Sequence, residues 1–321
     1  MMKLNATTIA DDLAVFLRNS GNQSVRVHSV FTHALNLLVG ADELITLVDY
    51  DDVTPMGLVV DEEIDFTKHA SIGDEFVIDS SRFFAVDGAF MVNLEGARVW
   101  QSAPLQDAAL RDSAEIAQVR EQLSGWLERQ PSLGLLPLLP RLVNQEYLLN
   151  QPYEDIYCRF IASDLHTFKT ALIENDWKLA LKRTDKLIGF GMGSTPSCDD
   201  FLEAYLAVFS YTDQSLPGRY PWIKQFNQAV LNRAISSTTT ISLNMLRHAA
   251  NGKLNQSSQQ LVQTCLFNTK EDLFTTAARV LEHGASSGGD FLLGLVCVLE
   301  WFQEQKTAFI KEGAYAFTNN Y

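Results

Sequence analysis

The spacing of apolar and polar positions divides the chain into two kinds of segment. Between residues 25 and 100, short apolar or β-branched runs are separated by turns that contain Asp and Gly. Many short strands at such density are typical of a barrel or a compact sandwich. We predict strands at 25–30, 44–48, 57–60, 75–79, 83–94 and 97–100, whereas 34–39 fits a strand or a helix equally well.

Helical periodicity dominates the rest of the chain. It predicts a first helix at 8–18, because Ile9, Leu13, Phe16 and Leu17 recur at helical spacing. Beyond Pro104 it predicts helices at 106–129, 142–149, 163–173, 176–187, 197–211, 221–235, 240–250, 256–267, 270–283 and 287–310, with a Leu- and Pro-rich connector at 131–140. The predicted fold class is therefore α+β: a small N-terminal β-rich domain with an N-terminal helix, residues 1–104, followed by a larger, mainly α-helical domain, residues 105–321.

A glycine-rich loop leads into one of these helices. Gly189, Gly191 and Gly193 alternate with other residues ahead of the sequence Ser-Thr-Pro-Ser-Cys-Asp-Asp-Phe-Leu at 194–202. Ser197 lies three residues before Asp200, a spacing that predicts a capping box at a helix start. Such a loop presents unpaired N–H groups and the positive end of the helix dipole, which suit an anion. The loop is therefore the candidate binding site.

A second segment repeats part of this pattern. Ninety residues after Asp200 (290 − 200), the sequence Ser-Ser-Gly-Gly-Asp-Phe-Leu at 286–292 matches 196–202 at its Ser, Asp, Phe and Leu positions. The two Ser-x-x-Asp starts either cap two unrelated helices or converge on one pocket. Convergence would place Ser197 and Ser287 within about 10 Å of each other.

These two segments, with a third block at 239–252 that contains Arg247 and His248, resemble the bacterial AllH family associated with oxamate carbamoyltransferase. The similarity covers roughly 187–299 well and the N-terminal half loosely. The resemblance implies a role in transfer of a carbamoyl group from carbamoyl phosphate to a small amide acid such as oxamate, within purine and allantoin catabolism. It also implies other carbamoyltransferase subunits as partners.

Roles for the candidate residues follow from this chemistry. Asp199, left free when Asp200 and Asp290 turn back onto the N–H groups of their own helix starts, would accept or remove a substrate amide proton. His283, directly ahead of the second motif, is the other catalytic candidate. Arg247 would complete anion binding with its guanidinium group. The predicted substrate-binding set is Gly191, Gly193, Ser194, Thr195, Ser197, Asp200, Arg247, Ser286, Ser287 and Asp290.

Three functions remain open at this point. The chain could be an enzyme subunit that binds carbamoyl phosphate and a carboxylate substrate, or a non-catalytic structural or regulatory subunit that binds a small anion. A third alternative is metal-assisted hydrolysis of a phosphate ester by Asp199, Asp200 and Asp290. Cys198 is a weak candidate nucleophile, because a helix start lowers the pKa of a thiol but two neighbouring carboxylates raise it. No cofactor and no resident metal are expected.

Charge and cysteine usage narrow the setting. A net charge of −14 argues against nucleic acid and against an anionic membrane surface as partners. The four cysteines are far apart and form no Cys-x-x-Cys pair, which fits a reducing compartment. No signal-like or membrane-spanning apolar run is present, so we expect a cytoplasmic protein. A homo-oligomer is one of the arrangements that the sequence allows.

Overall fold

The computed structural model describes residues 2–102, 109–143 and 156–318, with side chains described up to residue 305. Within it the chain forms two compact units. The first comprises residues 1–103 and 253–259, and the second comprises residues 104–252 and 260–321. Each unit has its own core, and the two are described separately below.

The first unit is built on nine strands. They are β1 (Met2–Ala10), β2 (Gln23–Val30), β3 (Ala34–Val39), β4 (Glu43–Val48), β5 (Gly57–Val60), β6 (Glu75–Ile78), β7 (Arg82–Ala85), β8 (Phe90–Asn93) and β9 (Arg98–Trp100). The pairing order β5-β4-β3-β2-β6-β7-β8-β1 closes into a ring, because β1 also pairs antiparallel with β5. Strand β9 extends the sheet beside the second half of β1. The β-rich domain is therefore an eight-stranded barrel, which confirms the predicted fold class.

Side-chain alternation fills the barrel. Along β1 and β2, buried positions alternate with exposed ones, and the interior contains Phe66, Phe76 and Phe90 in ring contact. Helix α1 (Asp11–Ser20) adds Leu13 and Leu17 to the same core. Because the barrel is closed, the backbone N–H and C=O groups that the edge strands of an open sheet would expose are paired.

Three predictions in this region need correction. The predicted helix at 8–18 begins too early, because Thr8, Ile9 and Ala10 belong to β1, a strand that was not predicted. The predicted strand at 83–94 is two strands, β7 and β8, joined by a turn. The ambiguous stretch at 34–39 is strand β3.

The second unit is helical. Among the described residues the helices are, in chain order, α2 (Ser113–Leu127), α3 (Leu139–Val143), α4 (Ile156–Ile173), α5 (Trp177–Leu187), α6 (Ser197–Ser215), α7 (Trp222–Ala234), α8 (Thr240–Ala249), α9 (Gln256–Leu266), α10 (Leu273–Leu281) and α11 (Ser287–Thr318). The first four residues of α9 belong to the first unit. Helix α2 begins at 113 rather than 106, and α4 begins at 156 rather than 163. The connector at 131–140 contains a 3-10 turn at Leu136–Leu138 and the start of α3. Most of the predicted helix at 142–149 lies outside the described residues.

Helices α6 and α11 form the centre of this unit. Nearly every residue of α6 from Ser197 to Thr212 is buried. A Cβ atom added at Gly294 of α11 would lie 2.3 Å from the carbonyl oxygen of Phe201, so the two helices approach to backbone contact. This close packing brings the beginnings of α6 and α11 together. No helix among the described residues is long and apolar enough to cross a membrane.

Candidate functional site

The glycine loop ahead of α6 depends on the absence of side chains at two positions. Gly189 and Gly191 have φ angles of 76° and 141°. A Cβ atom would lie 2.0 Å from Ser237 O at Gly189 and 2.2 Å from Ser197 N at Gly191. Both positions therefore require glycine for conformation and for space. Met192 between the glycines is 86% exposed and marks the loop tip.

The start of α6 differs from the predicted capping box. Pro196 is the N-cap residue and no side chain caps the helix, so the capping role predicted for Ser197 and Asp200 is wrong. The N–H group of Cys198 donates to Phe190 O at 3.0 Å, and those of Asp199 and Asp200 donate to Pro196 O. Three of the donors expected to hold an anion are thus already used within the protein.

Asp199 stabilises the loop from inside the protein. Its Oδ1 atom accepts the Gly189 N–H at 2.9 Å, and its Oδ2 atom accepts the Thr238 hydroxyl. Burial raises the pKa of Asp199, while the hydrogen bonds from Thr238, Gly189 and Ser242 act in the opposite direction. Its carboxylate is fully buried. Asp199 therefore joins the loop to the segment that leads into α8, rather than facing an open pocket.

The start of α8 supports the same loop. The Thr239 side chain caps α8 by accepting the Ser242 N–H, and its hydroxyl donates to Ser194 O at 2.5 Å. Arg247 lies in the last turn of this helix, about 10 Å along the helix axis from Thr240 at 1.5 Å per residue. Its role in binding an anion stays a prediction.

The serine of each Ser-x-x-Asp motif lies near the aspartate of the other motif. The Ser287 hydroxyl, at the start of α11, lies near enough to Asp200 of α6 to lower the pKa of that carboxyl. In the other direction, the hydroxyls of Ser197 of α6 and of Ser286 lower the pKa of Asp290 of α11. The hydroxyls of Thr195 and Ser287 lie 2.9 Å apart and tie the loop to α11. The helix starts therefore meet in one cluster.

Asp290 also has a backbone partner that the sequence did not suggest. Its Oδ1 atom accepts the N–H of Leu135 at 2.6 Å, so the prediction that Asp290 turns back onto its own helix start is wrong. Gly134 makes room for this contact, because a Cβ atom there would lie 2.3 Å from Asp290 Oδ1. The Leu- and Pro-rich connector is thus part of the site.

Burial dominates the electrostatics of both carboxyl groups. Desolvation raises the pKa of Asp290 to about 6, against hydrogen bonds from Leu135, Ser197 and Ser286 that lower it. Desolvation also raises the pKa of Asp200 well above its usual range, and the nearby charges of Glu203 and Asp290 raise it further. Near neutral pH the Asp290 carboxyl is therefore mostly ionised, whereas burial and nearby charges favour the protonated form of Asp200.

The remaining candidates are placed as follows. The His283 carbonyl accepts the Gly288 N–H at 3.1 Å, so its backbone supports the start of α11, and the catalytic role of its half-buried side chain stays a prediction. Burial raises the pKa of the Cys198 thiol well above its ordinary value, helped by Asp199, which argues against a thiolate nucleophile. Gly193 lies on the exposed side of the loop.

No group of three or more metal-binding side chains is found in the described part of the chain. Metal-assisted hydrolysis by Asp199, Asp200 and Asp290 stays a prediction.

Sequence reasoning missed several contributors to the site. Besides Gly134 and Leu135, these are Thr238, Ser242 and Tyr157, whose ring centroid lies 4.9 Å from that of Phe190. An isolated glycine inside an apolar connector was the signal available for Gly134. The others carry no local signal, because they reach the site from separate elements.

The protein thus consists of an eight-stranded barrel and a helical domain. In the helical domain, two Ser-x-x-Asp helix starts form a site with buried carboxyl groups. Residues 5–99 match the AllH family N-terminal domain, and residues 187–299 match the family described as oxamate carbamoyltransferase subunit AllH. The chain belongs to the AllH family. That description, a subunit, implies that the enzyme contains other subunits. A comparison with solved structures found no match.

Proposed function

We propose that this chain is a subunit of a carbamoyltransferase that transfers the carbamoyl group of carbamoyl phosphate to a small amide acid of the oxamate type. The substrate would meet the hydroxyl groups that surround Asp290. The observation that carries the proposal is the placement of half-buried Ser286 one helical turn before Asp290: the Asp290 N–H donates to Ser286 O at 2.9 Å, and burial raises the pKa of the Asp290 carboxyl to about 6. The family match supplies the class of reaction.

The reaction requires a base. The amide nitrogen of the acceptor bonds to the carbamoyl carbon, the bond from that carbon to the phosphate oxygen breaks, and the nitrogen loses a proton. We assign acceptance of that proton to the Ser286 hydroxyl, which passes its own proton to Asp290. A carboxylate with a pKa of about 6 is a better base near neutrality than an ordinary aspartate, whose pKa is about 3.9. The proton finally leaves with the phosphate.

This assignment differs from the role first predicted for Asp199. Both carboxylate oxygens of Asp199 already accept hydrogen bonds, one from the Gly189 N–H and one from the Thr238 hydroxyl. Using Asp199 as the base would break the contacts that shape the loop. We therefore propose that Asp199 positions the loop and that Asp290 accepts the proton.

The test uses the enzyme assembled with its other subunits and measures oxamate-dependent release of phosphate from carbamoyl phosphate. Ser286→Ala and Asp290→Asn are each expected to lower kcat by about 10²–10⁴-fold, the usual contribution of a general base. Ser163→Ala, an exposed serine on α4, is the matched control and should keep full activity. Full activity in Ser286→Ala would exclude the proposed proton path.

The second candidate, a non-catalytic subunit that binds a small ligand, is kept because the family description names a subunit rather than an enzyme chain. Thermal melting of the isolated chain with carbamoyl phosphate, phosphate, oxamate and oxalurate separates the two, since a ligand of the folded state raises stability. If Ser286→Ala removes a melting shift but leaves turnover of the assembled enzyme intact, the second candidate is favoured.

A further inference from the structure

Most of the large apolar side chains that the helical unit exposes lie around the glycine loop. Single exposed apolar side chains are normal on a protein surface, whereas several in one place mark an interaction site. In the described part of this unit, the exposed set is Leu133, Ile156, Phe160, Met192, Ile235 and Phe274. All of them except Phe274 lie within three residues of a contact that the loop or its immediate neighbours make.

Two of these contacts join the start of α4 to the loop and to the connector. The ring centroids of Tyr157 and Phe190 lie 4.9 Å apart, so the first turn of α4 packs against the loop. The Sγ atom of the next residue, Cys158, donates to Gly134 O at 3.4 Å. Exposed Ile156 and Phe160 flank Tyr157 on one face of α4, four residues apart, and exposed Leu133 directly precedes Gly134.

A third contact brings the end of α7 to the same loop. A Cβ atom added at Gly189 would lie 2.0 Å from Ser237 O, so the two backbones touch. Ile235 lies two residues before Ser237, and Met192 lies three residues after Gly189. Consecutive Cα atoms are about 3.8 Å apart, so both side chains lie close to this contact. The loop patch is the set Leu133, Ile156, Phe160, Met192 and Ile235.

Met192 is the member of the loop patch that projects furthest. It is 86% exposed, whereas the two sides of the loop are fixed: the Cys198 N–H donates to Phe190 O at 3.0 Å, and the Thr239 hydroxyl donates to Ser194 O at 2.5 Å. A flexible thioether side chain on a fixed base adapts well to the surface of a partner. The loop therefore presents a preformed apolar projection.

Charge indicates what kind of protein covers the loop patch. The chain has a net charge of −14, so two copies of it repel each other, whereas a basic surface is attracted. The groups that shift the pKa of Asp199 and of Asp290 include no lysine or arginine. Carbamoyl phosphate and oxamate are anions, which guanidinium and ammonium groups bind well. A basic partner would complement both the charge of this chain and its site.

We propose that the loop patch is the docking surface for another subunit of the carbamoyltransferase, and that the contacting face of that subunit combines apolar side chains with arginine or lysine. The family description names a subunit, so the enzyme contains such partners. The inference rests on the proposed function and deepens it, because the partner's cations would lie near the substrates at Ser286. The Thr195 hydroxyl of the loop lies 2.9 Å from that of Ser287, the next residue.

The first experiment measures assembly without substrate. The chain is produced together with the other subunits, and the mass of the complex is followed by mass photometry on dilution. Exchange of Met192 and Phe160 for Ser in one variant should raise the dissociation constant at least about 30-fold, the effect of losing one interface hot spot. Ile72→Ser, at a 75% exposed position of the barrel unit, is the matched control and should assemble normally.

Surface exchanges of this kind leave stability nearly unchanged, so the melting temperature of the isolated double variant should match that of the wild-type chain. Normal assembly of the double variant would overturn the docking surface. The proposal also fails if the isolated wild-type chain forms a dimer that the double variant loses, because the partner is then a second copy of this chain.

The second experiment tests the charge of the partner. Phe160→Lys and Phe160→Glu place opposite charges at the same exposed position. At low salt, Phe160→Lys should assemble at least about fivefold more weakly than Phe160→Glu, and the difference should largely vanish in about 0.5 M NaCl, where charges are screened. Equal weakening, or weaker assembly of Phe160→Glu, would overturn the basic character of the partner's face.

These results are separate from those that test the proposed function. When the other subunits are added in excess, the double variant should recover its kcat, since the loop patch acts through assembly. Intact assembly of the double variant together with loss of turnover in Ser286→Ala would overturn the docking surface alone. Lost assembly of the double variant together with full turnover in Ser286→Ala would overturn the proposed proton path alone.

Discussion

The two Ser-x-x-Asp-Phe-Leu segments start from nearly the same sequence and end in different environments. In the first, Asp200 lies near Glu203 and interacts with Ser287, and its pKa is raised well above the usual range. In the second, Asp290 receives the Leu135 N–H at 2.6 Å, two serine hydroxyls act to lower its pKa, and burial raises that pKa to about 6. Their difference shows that the partners supplied by other elements, rather than the motif, determine the protonation state of each carboxyl.

The second position of the motif differs as well. Cys198 fits fully buried against its neighbours. At the equivalent Gly288, a Cβ atom would lie 1.9 Å from the carbonyl oxygen of Val280. The first helix start therefore has space for a side chain, and the second packs backbone against backbone.

The largest expected effect follows from this contact. Gly288→Ala should lower the free energy of unfolding by about 3 kcal/mol, because backbone atoms must move to admit the methyl group. Cys198→Ala only removes a small buried group and should cost about 1 kcal/mol. Urea unfolding of the isolated chain measures both. Equal losses would mean that the two helix starts have similar space after all.

The next effect depends on pH. The pKa of Asp290 in the folded chain, about 6, lies above its ordinary value of 3.8, so the contribution of this carboxyl to stability is fully present below pH 4 and is lost as pH rises through 6. The Asn side chain cannot ionise, so Asp290→Asn should raise the free energy of unfolding at pH 8 by about 2–3 kcal/mol, with no gain at pH 4. Melting curves at the two pH values provide the measurement. A gain of the same size at both values would contradict the assigned pKa direction.

A third prediction concerns the partner that only Asp290 has. Gly134→Ala should destabilise the chain by about 1–2 kcal/mol, because the residue has a φ angle of 58° and the new Cβ would contact the Asp290 carboxylate. In an Asp290→Ala background the loss should shrink by about 1 kcal/mol, whereas an Asp200→Ala background should leave it unchanged. Rescue by both backgrounds would remove the distinction between the two aspartates.

The smallest expected effect concerns the link between the motifs. Thr195→Val removes the hydroxyl that lies 2.9 Å from Ser287 Oγ and should cost about 1 kcal/mol, the net value of one hydrogen bond. Thr167→Val, which removes a hydroxyl bonded within α4, is the control for loss of a threonine hydroxyl in the same unit. Unfolding curves that show no loss in Thr195→Val would mean that the loop and α11 are held together by other contacts.

Local sequence patterns predicted most of the helices and strands. Most strands from β2 to β9 and helices α4 to α11 follow apolar periodicity, because an element that buries one face repeats apolar residues at its own spacing. The same pattern left β3 ambiguous and merged β7 with β8. Strand β1 was missed because Ile9, a strand residue, lies at helical spacing from Leu13 and Phe16. The choice between a barrel and a sandwich stayed open in the sequence, because β1, which closes the barrel, pairs with β5, β8 and β9 from distant parts of the chain.

The sequence by itself determined which residues of the helical domain could carry chemistry: a glycine loop and two Ser-x-x-Asp helix starts. Only the tertiary structure decided their partners. In it, Asp199 accepts hydrogen bonds from Gly189 and Thr238, and Asp290 accepts one from Leu135. The serine of each motif lowers the pKa of the aspartate of the other. The physical reason is that capping patterns describe contacts within one helix, whereas desolvation and hydrogen bonding of a buried carboxyl depend on every element packed around it.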